Sequence, residues 1–160
     1  AIMTDQAGVC IGVSTADCIP VLLYDEEHHA AAAIHAGWRG TLARIVHKTL
    51  QEMAFAYKTD PKKLKAVIGP VISLDSFEVG DEVYEAFEAA GFDMACIARR
   101  DEKWHLDLWE ANRIQLLSKG VKKENVEVTG ICTYQNYTDF FSARRLGIRS
   151  GRILSGIMRM

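Results

Sequence analysis

The chain has 160 residues, 49% hydrophobic and 25% charged, with a mean hydropathy of −0.02 and a net charge of −2. That length supports one domain able to bury roughly two-thirds of the surface its unfolded form would expose, and the composition is not that of a disordered or fibrous chain. The longest apolar run, Ala30 to Ile34, is far short of the roughly 20 residues of a spanning helix, and no signal-peptide pattern precedes it, so a cytoplasmic protein with no membrane partner is expected. The slightly acidic balance argues against nucleic acid as a partner.

Cys10, Cys18, Cys96 and Cys132 lie at long irregular intervals with no CxxC, which reads as free thiols in a reducing compartment. After Asp139 there is no acid, while Arg144, Arg145, Arg149, Arg152 and Arg159 follow, so the C-terminus is a local basic patch suited to an anion. The chain opens on "AIMTDQAG", without an initiator Met and partway into an element. The expectation is therefore a single domain over 1–160 that is N-terminally truncated, with an exposed sheet surface that favours association with another copy.

In chain order, Val9 to Ser14, Ile19 to Tyr24 and Ala30 to Ala36 read as strands, the last two joined through the polar loop "DEEHH" as a hairpin. From Thr41 the period becomes helical, with Leu42, Ile45, Val46, Thr49, Leu50, Met53 and Tyr57 on one face, ending before Asp60 and Pro61. "LKAVIG" is a buried strand stopped at Gly69 and Pro70. A helix carrying Val79, Val83, Phe87 and Ala90 ends at Gly91, and another with Leu108, Ala111, Ile114 and Leu117 inward ends at Gly120. "NVEVTGI" alternates as a strand, and Ile153 to Met158 forms the last one. Strands alternating with helices, plus an early hairpin, predict a layered α/β domain with a mixed sheet.

The residues with chemical potential gather at the ends of the hairpin. If Ile19 to Tyr24 pairs antiparallel with Ala30 to Ala36, His35 returns to Cys18. A thiol and an imidazole brought together make either a nucleophile with its base or two ligands of zinc or copper, and geometry alone leaves both open. For each residue alone the simpler role is packing, as a small buried hydrophobe or a hydrogen-bonded core histidine. "AGWRG" follows, where Gly37 and Gly40 allow close backbone approach, a helix N-terminus offers free N–H groups, and Arg39 adds donors for an oxyanion. In "FFSARRLGIRSGR", Phe141, Ser142 and Arg145 suit a base-stacking surface beside a phosphate site, or else a solvated basic edge. His28, His29 and His47 are expected in solvent, Asp107 as a helix N-cap, Cys10 and Cys96 as packing residues, and Cys132 at a strand end near the cleft.

"TADCIPVLLYD", "AAIHAGWRG", "IGPVISLDSFEVGDEV", "LDLWEANRIQLLSKGV", "GICTY" and "FFSARRLGIRSGR", in that order, resemble the YfiH-like family, also labelled polyphenol oxidase or laccase-domain proteins, across essentially all 160 residues. The resemblance implies a layered α/β/α fold shared distantly with cytotoxic necrotizing factor, and a zinc site using Cys18 and His35. It also implies a third ligand, a histidine in a "QxHG" motif upstream of Ala1; no such motif stands in this sequence, and Val71 occupies a position where relatives often place cysteine. The implied activity is phosphorolysis of adenosine, inosine and methylthioadenosine with adenosine deamination, so the implied partners are a purine nucleoside and phosphate. Competing readings are a cysteine hydrolase or amidase using Cys18 and His35, and copper-dependent phenol oxidation.

Overall fold

The computed structural model describes residues 1–160. Ten strands and six helices form in chain order: β1 (Ile2–Thr4), β2 (Cys10–Thr15), β3 (Ile19–Asp25), β4 (Ala30–Ala36), α1 (Trp38–Leu42), α2 (Ile45–Tyr57), β5 (Lys65–Ile68), β6 (Glu78–Val79), α3 (Asp81–Ala89), α4 (Met94–Ile97), β7 (Ala98–Arg100), β8 (Trp104–Leu106), α5 (Leu108–Ser118), β9 (Val126–Val128), α6 (Ala143–Leu146) and β10 (Ile153–Met158). The main sheet has the order β1-β4-β3-β5-β9, antiparallel except for the parallel β5–β9 pair. The architecture is thus the expected layered α/β fold with a mixed sheet. β2 and β10 form a separate antiparallel ribbon, and β6, β8 and β7 a small third sheet.

The two-residue alternation of the hairpin decides which layer each face meets. Ile19, Val21 and Leu23 pair with Ala36, Ile34 and Ala32 and lie in the main core with Val46, Leu50 and Met53 of α2. Pro20, Leu22 and Tyr24 pair with His35, Ala33 and Ala31 on the opposite face, where Ile11 and Val13 of β2 and Ile157 of β10 pack over Ala31, Ala33, Leu22 and Tyr24. Helices therefore cover one face and the ribbon the other. The turn that sets this register is built by Asp25, whose buried carboxylate Oδ1 accepts from the backbone N–H groups of Glu27 and His28 at 3.0 and 3.1 Å.

The helix after the hairpin begins earlier than its hydrophobic period indicates. Trp38 opens α1, and Arg44 in the left-handed region (φ 58°) breaks it from α2. The Arg44 guanidinium stabilises that break, donating to the Ala90 carbonyl at 3.0 Å and lying 3.6 Å from the Phe92 ring centroid. Val79 belongs to β6, so α3 starts two residues later, at Asp81. In α5, Asp107 caps the N-terminus as expected, accepting from Glu110 N at 2.9 Å. Its most buried face is polar in part: Asn112 and Gln115 are buried, whereas Ile114 and Leu117 are only half-buried.

Those two amides hold α1 in place. Asn112 Nδ2 donates to Thr41 Oγ1 at 3.0 Å and Gln115 Nε2 to the Thr41 carbonyl at 3.1 Å, so α5 grips the short helix that follows the hairpin. Asn112→Ala should lower the unfolding free energy by about 1–3 kcal/mol, because a buried donor pair is lost. In a double-mutant cycle with Thr41→Val, urea denaturation should return a coupling of about 1 kcal/mol. Additive effects would show that the contact does not hold the helix.

Candidate active site at the open end of the hairpin

Register places Cys18 and His35 on one face. Pro20 stands opposite His35, and two residues beyond each, Cys18 lies against Gly37: its Sγ is only 2.9 Å from where a Cβ on residue 37 would stand. Glycine at 37 is what admits the thiol to the turn. The Pro20 step is equally tight, since Gly69 N donates to the Pro20 carbonyl at 2.9 Å and a Cβ on Gly69 would come within 2.7 Å of Pro20 Cγ. The Gly69 carbonyl in turn accepts from Trp109 Nε1 at 3.0 Å.

Desolvation favours the neutral form of both groups. It raises the Cys18 thiol above the ordinary cysteine value, Asp17 raises it further, and the Arg152 guanidinium offsets part of the effect. His35 is exposed, yet partial desolvation of its ring lowers the imidazole, and a hydrogen bond to the Ser14 backbone opposes this. A thiolate–imidazolium pair is thus not favoured by this environment. A neutral imidazole beside a thiol is a donor set that zinc or copper accepts once the thiol is deprotonated. The number of donors is two, and no three His, Cys, Asp or Glu side chains gather as a metal site requires.

A cleft of about 500 Å³ opens at the Asp17 step, lined by Asp17, Trp38, Ile72, Phe77, Ala143, Arg144 and Ile148, with neither Cys18 nor His35 in its wall. Asp17, at φ 80°, joins three distant segments: its carbonyl accepts from Ile72 N at 3.2 Å, Oδ1 from Thr133 Oγ1 at 2.7 Å and Oδ2 from Arg144 N at 2.7 Å. The Arg144 guanidinium donates to the Glu78 carbonyl at 3.1 Å and lies 5.4 Å from the Phe77 ring centroid. Asp17 did not stand out in the sequence, and Arg144 did so only as one of the arginines of the C-terminal basic patch. The signal available was an aspartate immediately before the cysteine, a residue type that tolerates the left-handed region and can cap a distant backbone.

The other expected site residues have definite contacts. Arg39 is exposed and lies 4.3 Å from the Trp38 ring centroid. Phe141 packs its ring on Gly151, where a Cβ would fall within 2.5 Å of it. Ser142 is fully buried and caps α6, its Oγ accepting from Arg145 N at 3.1 Å. Arg145 lies over Tyr137 and Tyr134, at 4.4 and 5.0 Å from the ring centroids. α1, after Gly37, is only five residues long.

The sequence expectations for four residues, Cys10, Cys96, His28 and His47, are corrected. Cys10 and Cys96 are exposed rather than packed, because Cys10 falls on the outer face of the ribbon and Cys96 faces outward on α4, its thiol 3.2 Å from Asp93 Oδ2. His47 is half-buried, with Nε2 3.2 Å from the Gln115 carbonyl and 3.0 Å from Ser118 Oγ. His28 is half-buried against Asp25. Cys132 is buried, and although burial raises its thiol, hydrogen bonds from Ser73 bring it below the ordinary value.

Comparison with known proteins shows the family and the fold. The family described as "Multi-copper polyphenol oxidoreductase laccase" matches residues 1–160. The chain belongs to this family. A purine nucleoside phosphorylase from Bacteroides thetaiotaomicron is 59% identical over 161 residues, 99% of this chain and 60% of that protein. An adenosine deaminase from an unknown prokaryotic organism is 45% identical over 162 residues, 99% of this chain and 62% of that protein. Among solved structures, the hypothetical protein YfiH of Bacillus licheniformis matches with a TM-score of 0.93 at 29% identity, covering 99% of this chain and 60% of that one. YlmD of Geobacillus stearothermophilus matches with a TM-score of 0.91 at 32% identity, covering 98% and 59%. The chain therefore spans about three-fifths of the length of these relatives.

Two outcomes follow for this family member. Gly37→Ala should lower stability by about 1–3 kcal/mol in thermal or urea unfolding, because the added methyl meets Cys18 Sγ; an unchanged midpoint would show that the turn yields freely. In metal-free protein, alkylation of Cys18 by iodoacetamide, mapped by mass spectrometry, should be slower at pH 7 than that of exposed Cys10. Because the Cys18 thiol is raised, its rate should keep climbing above the ordinary cysteine value of about 8.5, where a normal thiol levels off. A plateau at or below that value would contradict the burial argument.

Proposed function

We propose that this chain carries part of the active site of a purine nucleoside phosphorylase with adenosine deaminase activity. The observation that supports the reading is the placement of Cys18 and His35 on one face at the open end of the β3–β4 hairpin, one residue from Asp17, which lines a cleft of nucleoside size with aromatic and arginine walls. Relatives named for both activities support it, the phosphorylase at 59% identity and the deaminase at 45%.

In this reading the purine lies against Trp38 and Phe77, whose faces can stack on a base, and Arg144 or Arg39 supplies donors to phosphate. A phosphate oxygen attacks the ribose anomeric carbon as the bond to the base nitrogen breaks; the departing base takes up a proton. Zinc, held by Cys18 and His35 with a further ligand from outside these residues, would supply Lewis acidity toward an oxygen of substrate or water. Copper is the alternative metal. The chain's own contribution is to present a thiol and a neutral imidazole on one face and to keep the purine out of bulk water. Four free thiols suit a reducing cytoplasm.

The cysteine-hydrolase alternative needs a thiolate next to an imidazolium, the opposite of both shifts at Cys18 and His35. A laccase-type copper cluster would have to draw most of its ligands from elsewhere, since these residues bring no three together.

Protein expressed from the whole gene should convert inosine and phosphate to hypoxanthine and ribose 1-phosphate, and lose that activity on chelation. Cys18→Ala and His35→Ala should each lower turnover about 100-fold or more and release the metal, measured by chromatography of products and by metal analysis. Turnover that survives both chelation and His35→Ala would overturn this reading.

A further inference from the structure

We propose that Asp17 is a positioning residue that locks the Cys18 turn to the arginine-bearing helix α6, so that the thiol and the Arg144 guanidinium keep a fixed relation. Non-glycine residues in the left-handed region also include His29, Arg44 and Lys58. His29 lies in the hairpin turn, while Arg44 and Lys58 cap helix ends, where such a conformation is ordinary turn chemistry. Asp17 instead stands in the short link that carries the chain from the ribbon to the main sheet, one residue before Cys18.

Its carboxylate is divided between two segments far along the chain. Oδ1 takes the Thr133 hydroxyl and Oδ2 the Arg144 N–H, both at 2.7 Å, within the range for charge-assisted bonds. α6 has four residues and cannot hold itself; its first N–H groups are satisfied by Ser142 Oγ at Arg145 and by Asp17 at Arg144. Asp17 thus caps a helix from across the fold while its own backbone sets the direction of Cys18. Losing the carboxylate frees both the helix that carries Arg144 and the turn that aims the thiol.

The test separates the two bonds. Asp17→Asn is isosteric and accepted at positive φ; it keeps an acceptor for the Thr133 hydroxyl but presents an N–H₂ group to Arg144 N. Thr133→Val removes the other bond alone. In Asp17→Asn, limited tryptic cleavage after Arg144 and Arg145 should rise about tenfold or more while cleavage elsewhere and the thermal midpoint change little, and the alkylation rate of Cys18 should rise several-fold on its high-pH plateau, where the thiol is fully ionised and loss of the Asp17 charge no longer acts through its ionisation. Thr133→Val should stay near wild type in both. Where inosine is turned over, Asp17→Asn should also raise the KM for phosphate more than it lowers kcat. The turnover arm rests on the proposed nucleoside chemistry, whereas the proteolysis and alkylation arms hold without it. Wild-type cleavage and alkylation in Asp17→Asn, or an equal rise in cleavage at every site, would overturn the positioning role.

Discussion

The β3–β4 pairing is the constraint on which the rest of the structure depends. Because side chains alternate, a slip of one residue would send His35 into the helix-covered core and turn Ile34 toward the ribbon. The register is held from both ends. At the closed end Asp25 folds the turn by accepting backbone N–H groups, and at the open end Gly37 leaves the space that Cys18 fills. The alanine-rich β4 lets both covering layers come close, with Ala32 under the helices and Ala31 and Ala33 under the ribbon. A buried strand with larger side chains on both faces would push one layer away and loosen the end that carries the thiol and the imidazole.

Much of this was legible in the sequence because it is local. The hairpin, α2, α3 and α5, and the strands at β5, β9 and β10 follow from hydrophobic period and from polar or glycine stops within a few residues. That Cys18 and His35 fall on one face at the same end of the hairpin follows from its register alone. What was not legible depends on partners far along the chain. Trp38 and Arg39 read as a loop, yet α1 exists because Asn112 and Gln115 grip Thr41 from more than 70 residues away. The small β6-β8-β7 sheet is made of two- and three-residue strands, too short to show a period.

The arginine loop shows the same limit at finer scale. "SARRLG" offers two adjacent guanidiniums, and composition gives no reason to choose between them. On a helix, neighbours point about 100° apart, so only one can face a given cleft. Arg144 does so here because Asp17 and Ser142 set where the helix begins; Arg145, one step on, meets Tyr134 and Tyr137 instead. The choice is made by a carboxylate 127 residues earlier in the chain.

The electrostatics of the thiol and imidazole bear on which chemistry the pair can support. A nucleophile–base pair gains from mutual ionisation, and it is built where positive potential lowers the thiol. At Cys18 burial and the Asp17 charge act in the other direction, and Arg152, whose guanidinium is folded back onto the Ile148, Ser150 and Gly151 carbonyls, only partly offsets them. His35, lowered by partial desolvation, keeps a neutral ring with a lone pair available to a ligand. A divalent cation would reverse the balance at Cys18 by replacing the thiol proton, and would use the neutral His35 as it stands. The same desolvation that makes these two residues a poor hydrolase pair therefore suits them to hold a metal, which is why the proposed function assigns them to ligation rather than to attack.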